Sequence, residues 1–585
     1  MFKYESTFRP TSKAGRVLVE GRILAPDESP PEMIERVVNA LVEVETQFSD
    51  NAVLAEEYGN RLGSAMDEGY IVMSTPILTN AGRYLDKPLS ACTVPVSALS
   101  INHAAMRREV IALHQQGMGT GFSLSESIDP LAELKFLNDV ALESSNSGKE
   151  DRPVGNMAVI SVYHPQILEF INAKVEAPAR GDEWKFNISV DIDEQFMNKL
   201  EAGDKITLSD GRQIRADKIF DAVCEAAVEC ADPGLVFLDR MNRRNPTPEL
   251  GQYKTTAPCG EVGLIEGETC QFGYLNLGKF VKARSGGYEI DYELLDAHTR
   301  LLTHTLDNAL EISNHNFISP RSSYILAQKR KIGVGVCGVA DALSKLGTAY
   351  DSKQGRQYVM NALSWVNAIS KEESVELAQS RGSCNAMLGT MGNRHLEEPG
   401  LIDNLYGGLE SDVVSSSYWA GLASRIRGNR MLRNISTIAL PPTGRSALVI
   451  SASTGIEPHF LLTNANREVL QAVRRSLINR IGRCATDRIV SASYSIDNAA
   501  NQLLDEETRK LLEGALDIPP LGHIAMAAVA QKYSDEAVSK TINLPAEASA
   551  SDVREIYMSA YNEGMSGVTV YINGTHSRQP ISLER

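Results

Sequence analysis

The stretch Thr255-Thr256-Ala257-Pro258-Cys259-Gly260-Glu261 sets a lone thiol two residues from a carboxylate, with a proline on one side and a glycine on the other. That punctuation, after the polar stretch Asn242–Tyr253, predicts an ordered loop in place of a strand or helix. Side chains of an extended backbone alternate, so Ala257, Cys259 and Glu261 would project to the same side. A thiol and a carboxylate sharing one small space suit chemistry in which sulfur takes an atom or electron while the carboxylate moves a proton. Taken alone, Cys-x-Glu also describes a buried cysteine beside a solvated glutamate.

Two further thiols bear on this. Cys270 follows eleven residues on, in Glu268-Thr-Cys-Gln-Phe-Gly-Tyr-Leu-Asn-Leu277, and Cys92 sits in Leu89-Ser-Ala-Cys-Thr-Val94. If they meet, they form a redox pair able to deliver two electrons near Cys259; spacing leaves open whether they do. The run Asn434–Leu440 followed by Pro441-Pro442-Thr443-Gly444-Arg445-Ser446-Ala447 reads as strand, tight turn and helix start. Free N–H groups at a helix N-terminus with Arg445 beside them would suit an anion, and a plain strand–helix connection has the same pattern. Gln116-Gly-Met-Gly-Thr-Gly121 lacks the lysine and preceding strand of a phosphate loop and reads as a close-packed turn.

The 585 residues carry 58 Lys+Arg against 74 Asp+Glu, a net charge of −16, which argues against a nucleic-acid partner. With 43% hydrophobic and 23% charged residues, the composition is that of a soluble globular protein. No apolar run approaches the roughly 20 residues that span a bilayer, and the N-terminus has no secretory pattern, so a cytoplasmic protein is expected. The eight cysteines include no CxxC pair and the ten histidines no ligand-like cluster, so no metal site is expected. Cys224, Cys230, Cys337, Cys384 and Cys484 are assigned to the core.

These residues need elements to hold them. Ser29-Pro30-Pro31-Glu32 ahead of Met33, Ile34, Val37, Val38 and Leu41 is a capping-box spacing with apolar residues at helical period, so a helix begins near Pro31. Further helical patterns run through about 51–70, 105–117 and 216–231, and residues 1–75 read as a small helical layer. From residue 76 on, short β-branched runs alternate with amphipathic stretches: Lys331–Val336 before Ala340–Leu346, Ile435–Leu440 before its turn, and Val568–Ile572. The expectation is an α/β protein with much parallel pairing, in one large domain over 76–585, and a closed barrel would leave no exposed edge.

Taken in order, the segments are similar to the catalytic subunit of a ribonucleotide reductase. Thr75–Gly82 (TPILTNAG) and Ser90–Val94 (SACTV) resemble the strand bearing that family's first redox cysteine. Val154–Lys174, Lys185–Val190 (KFNISV), Asp232–Asn245, the TTAPCGE stretch, TCQFGYLNL, Lys331–Ser352, the PPTGRS turn, Ser451–Phe460, Ser539–Pro545 and Val568–Tyr571 follow in family order. Tyr571 is followed by Ile572, where the oxygen-dependent class has a Tyr-Tyr pair. With no glycyl-radical loop either, the chain looks most like the adenosylcobalamin-dependent class II enzymes.

The resemblance implies a ten-stranded α/β barrel with a central finger loop carrying Cys259. It implies that Cys259, as a thiyl radical generated through adenosylcobalamin, abstracts the ribose 3′-hydrogen. Glu261 would take the 3′-hydroxyl proton, and Cys92 and Cys270 would supply two electrons and end as a disulfide. Ala91, Ala257, Pro442, Thr443, Gly444, Arg445 and Ser446 fall at substrate-binding positions, and water is to be excluded from the radical's chamber.

The chain departs from the family in four places. Ala257 stands where the N-x-C-x-E motif has asparagine, and one lost preorganised donor can cost on the order of 10²–10³ in rate. Arg445-Ser446-Ala447 follows Pro442-Thr443-Gly444 where the family reads roughly PTGTIS. The span from Ser125 to Asn156 is short of the family's specificity stretch and bears on the usual dimer contact, a homodimer being one candidate assembly. The sequence ends at Arg585 with no tail CxxC, so an external reductant is expected, a thioredoxin-like protein or a small thiol. Two alternatives stay open: a related radical enzyme acting on another nucleotide sugar, and a noncatalytic nucleotide-binding paralogue.

Overall fold

A computed structural model describes residues 2–572 except 98, 100–101, 147–153, 177–180, 286, 390–391, 410, 461–470 and 492–503. The chain end discussed above, and part of the Ser125–Asn156 span, lie outside the described residues. Two compact units are present, each built from separated segments.

The first unit comprises Met1–Leu89, Gln271–Asn316 and Ala327–Asp535. Its helix Pro30–Glu43 starts as the sequence predicts: Ser29 Oγ accepts from the Glu32 amide, and Glu32 returns a 2.7 Å bond to the Ser29 amide. The apolar positions Met33, Ile34, Val37, Val38 and Leu41 are all buried. Helix Ala52–Asp67 occupies the next expected stretch, and strand Ile71–Met73 then ends the N-terminal layer; three residues are too few to leave a period in the sequence. Thr75–Asn80, which resembled part of a strand, is a helix, because Pro76 presets its first turn. Ile71–Met73 pairs antiparallel with Phe272–Asn276, which pairs parallel with Gly333–Cys337, and a bridge from Val334 to Ile438 adds the segment where a strand was expected over Ile435–Leu440.

The second unit comprises Ser90–Cys270, Phe317–Leu326 and Glu536–Arg585. Helices His103–Gln115 and Ala216–Cys230 lie where the sequence predicts them. Its eight-stranded sheet runs in the order Thr269–Cys270, Cys92–Thr93, Gly119–Ser123, Asn156–Ser161, Phe186–Asp191, Gly234–Val236, Gly567–Ile572 and Thr541–Leu544. The five strands from Cys92–Thr93 to Gly234–Val236 are mutually parallel. Antiparallel pairing flanks them on both sides.

The α/β class and the large parallel sheet therefore agree with the sequence. A single closed ten-stranded ring is not shown among the described residues: the ladders form an eight-stranded and a three-stranded sheet, one in each unit, with three further two-stranded ladders. Alternation of strand and helix determines the class, but strands two residues long leave no signal from which to count them. Among the described residues no helix is long and apolar enough to cross a membrane.

Candidate active site

Cys259 stands at the tip of a β-hairpin, and the local sequence explains why. Thr255–Thr256 pairs antiparallel with Gly263–Leu264. Between them the Ala257 amide donates to Val262 O, and the Gly260 amide to Ala257 O, both at 2.9 Å. The second bond closes a β-turn with Pro258 and Cys259 at its centre. Proline suits the first central position, and Gly260, at φ +78°, takes the left-handed conformation that turns the chain back into the ladder. The expected extended run is thus a turn, and Cys259 is its exposed corner while Ala257, Pro258 and Glu261 are buried. This corrects the expectation of an enclosed sulfur: within this unit the thiol is the accessible point of an otherwise sealed loop.

Glu261 lies beneath that corner, 3% exposed. Burial pushes its carboxyl up to about 7, against the pull of the backbone amides of Glu261 and Cys259, which donate to it. Its Oε2 has no hydrogen-bond partner. A buried carboxyl with one idle oxygen and a pKa near neutrality is equipped to accept a proton from a bound group. The Cys259 amide is what links thiol and acid.

Cys270 and Cys92 face each other as register partners in an antiparallel ladder, and both are reduced. Directly opposed residues have Cα atoms roughly 4.5–5.5 Å apart, inside the range a disulfide requires. Cys270 is buried and its thiol points to the Cys92 carbonyl oxygen at 3.7 Å; Cys92 is half-buried. Ala91 joins the same edge, its amide donating to Cys270 O and its carbonyl accepting from Gly119.

The finger is seated on glycines that the sequence reading took for a turn. Gly119–Ser123 is a strand, and only Gly117, at φ +80°, turns. A Cβ on Gly119 would stand 3.0 Å from Pro258 Cγ and 3.5 Å from Cys92 Sγ, so the finger and the Cys92 thiol flank the same point. A Cβ on Gly155 would lie 3.1 Å from Pro258 Cβ, and one on Gly121 only 2.3 Å from Thr256 O. Glycines at alternate strand positions mark one face approached by another backbone, a signal present in GMGTG from the start. Asn187 was also missed; its side-chain amide donates to Pro258 O at 2.9 Å.

Gly121→Ala is accordingly expected to displace the finger. Backbone cannot move aside as a flexible side chain can, so the expected cost is about 1–3 kcal/mol of stability, with turnover reduced further than stability. Chemical denaturation and a turnover assay check it; unchanged values in both would show that the hairpin does not rest on this strand.

The PPTGRS turn belongs to the first unit. Thr443 adopts φ +55°, unusual for a β-branched residue; its Oγ1 accepts from the Gly455 amide at 2.6 Å and its carbonyl from Ala447 at 2.9 Å. The helix Gly444–Val449 follows, with Gly444 exposed, Arg445 half-buried and Ser446 buried; Pro442 is half-buried. Ahead of the turn, Asp535 accepts from the Thr437 and Ile438 amides at 2.8 and 3.0 Å and pairs with Lys371 at 2.7 Å. Burial would raise that carboxyl, but Lys371 outweighs it and holds it at about 2. Of the remaining cysteines, Cys224, Cys230, Cys337 and Cys384 are buried as expected. Cys484 is not: it lies exposed near the start of helix Arg483–Ser491.

With this geometry in view, the chain can be set beside known proteins. The family model for the ribonucleotide reductase barrel domain matches residues 104–571. A vitamin B12-dependent ribonucleoside-diphosphate reductase of Mycobacterium tuberculosis (strain CDC 1551 / Oshkosh) is 28% identical over 592 residues, spanning 95% of this chain and 78% of that protein. A protein of the same description from Thermoplasma acidophilum is 30% identical over 545 residues, spanning 88% of this chain and 65% of its own length. The solved Actinobacillus ureae class Id ribonucleotide reductase alpha subunit superposes with a TM-score of 0.74 over 98% of each chain at 18% identity, which shows a shared fold. The family match extends over most of the sequence, the finger hairpin included, and the chain belongs to the ribonucleotide reductase barrel-domain family.

Proposed function

We propose that this protein reduces the 2′-hydroxyl of a ribonucleotide to a 2′-deoxyribonucleotide, with adenosylcobalamin as the radical source. The observation that carries the reading is the placement of two unbridged thiols, Cys92 and Cys270, directly opposite one another in the ladder, with Cys92 against the same glycine as Pro258 of the Cys259 finger. The names of the relatives supply the cofactor. Adenosylcobalamin, when bound, supplies a carbon-centred radical able to take a hydrogen atom from a thiol. The residues present fit such a group, because Cys259 is the exposed corner of its turn and the residue that would meet it.

As a thiyl radical, Cys259 takes the hydrogen from ribose C3′ and later returns it. Glu261, with an idle Oε2, accepts the 3′-hydroxyl proton as the 2′-hydroxyl departs as water. The C2′–O bond is broken and a C2′–H bond formed; Cys92 and Cys270 give up two electrons and two protons and are left joined as a disulfide. A separate dithiol, a thioredoxin-like protein or small thiol of the cytoplasm, then reduces them. Thr443, Gly444, Arg445 and Ser446, with Pro442, bind the phosphate; Ala91 contacts the substrate through main chain, and Ala257, fully buried, supports the finger without reaching the substrate.

Anaerobic incubation with adenosylcobalamin, a dithiol and each ribonucleoside mono-, di- and triphosphate tests this by product analysis and paramagnetic resonance. Deoxynucleotide formation is expected, together with a mass loss of two hydrogens between the peptides bearing Cys92 and Cys270 when the dithiol is withheld. A radical signal with another product points to different sugar chemistry, which Ala257 in place of asparagine would favour. Nucleotide binding without a signal or product overturns the proposal.

A further inference from the structure

We infer that Asn187 is a positioning residue that locks the Pro258–Cys259 peptide and so aims the Cys259 thiol. The inference rests on the reading of Cys259 as the reacting group. Asn187 lies on strand Phe186–Asp191, opposite Met157 of the neighbouring strand. Its strand neighbours Phe186 and Ile188 are buried, whereas Asn187 is exposed, so by alternation it projects from the opposite face of the sheet. From there its Nδ2 donates to the Pro258 carbonyl at 2.9 Å.

That carbonyl belongs to the same peptide unit as the Cys259 amide, which donates to the Glu261 carboxyl. One rigid plane is therefore held at both ends, its C=O by Asn187 and its N–H by Glu261. A peptide engaged on both sides cannot flip, and a donor on the carbonyl polarises the amide and strengthens the bond it makes. The Gly260 amide's bond to Ala257 O closes the turn but leaves the Pro258 carbonyl unengaged, and Ala257 has no side-chain polar atom to offer it. An exposed asparagine would otherwise bond to water; here its amide is given to main chain at the one peptide whose tilt decides where the sulfur points.

The test uses Asn187→Ala and Asn187→Asp. Aspartate keeps the shape, guarding against a packing defect, but its ionised carboxylate cannot donate. Hydrogen exchange over residues 257–262, read on the full chain without nucleotide or cofactor, is expected to rise at least about tenfold in both variants, since an amide whose partner is loosened opens more often. Exchange in strand Asn156–Ser161 should stay as in the parent. With cofactor and substrate, kcat is expected to fall about 10–100-fold with KM within about twofold, the signature of a misplaced reacting group. Unchanged exchange at the tip in both variants, or raised exchange with unchanged kcat, overturns the inference. A parent protein that reduces no ribonucleotide overturns the functional reading instead, and the exchange measurement still decides whether Asn187 holds the tip.

Discussion

Cys259→Ser is expected to remove ribonucleotide reduction altogether, a loss beyond about 10⁴-fold of the kind seen when the group that makes and breaks the reacting bond is taken away. The exchange alters one atom, but an O–H bond is too strong to be opened by a carbon-centred radical and re-formed at each turnover. The surroundings predict a clean result. The bonds that shape the turn, Gly260 to Ala257 and Ala257 to Val262, are main-chain and do not involve Sγ. The residue is exposed, so no cavity is created and stability should change by no more than about 0.5 kcal/mol. Nucleotide Kd should stay within about threefold, because binding uses contacts equally available in both proteins. Parallel measurement of product formation, the paramagnetic signal and nucleotide affinity checks all three expectations; a serine variant that turned over normally would place the radical elsewhere.

How far the sequence already contained this site can be argued residue by residue. Cys259, Glu261, Cys92 and Cys270 are chemically conspicuous, and helix signals such as the Ser29–Glu32 capping box act over four residues, so both are legible in one dimension. Ser29, Glu32 and the buried stripe from Met33 to Leu41 lie where the spacing puts them. What stayed hidden is long-range. The opposition of Cys92 to Cys270 depends on the register of strands that are two residues long. The turn at Pro258–Cys259 was open to misreading as extended chain because Pro-x-Gly suits both, and the αL conformation of Gly260 decides between them. Gly119 and Gly121 read as a turn in one dimension because their role is defined by the atoms of Pro258 and Thr256 across the gap. Asn187 carries no motif at all; its bond to Pro258 joins residues 71 positions apart.

Glu261→Gln should slow turnover by about 10²–10⁴-fold, the usual contribution of a positioned general base, while preserving the shape of a site that is 3% exposed. Burial also lifts Asp191 and Glu513 to about 7, so it is the comparison with the glutamine variant that assigns the pH behaviour to Glu261. Burial lifts the carboxyl from 4.5 to about 7, so in the parent the rate should climb with pH through about 7 as the proton is lost, and that limb should vanish in the glutamine variant. The sign for stability is opposite. A folded-state pKa above the unfolded one means that the native protein holds the proton more tightly. That contribution is complete below pH 4.5 and disappears as pH rises through about 7, where a charged carboxylate must remain under the turn with only two amides for company. Glutamine carries no such charge, so the stability of Glu261→Gln relative to the parent should rise by about 2–3 kcal/mol between pH 5 and pH 8. Thermal unfolding at the two pH values, alongside the rate profile, tests both signs on one pair of proteins. A parent whose rate is flat from pH 5 to 8, or a glutamine variant that gains nothing at alkaline pH, would mean that Glu261 is not the buried base. Rate and stability must therefore move in opposite directions with pH through one group, a combination that an exposed glutamate beside an incidental thiol could not produce.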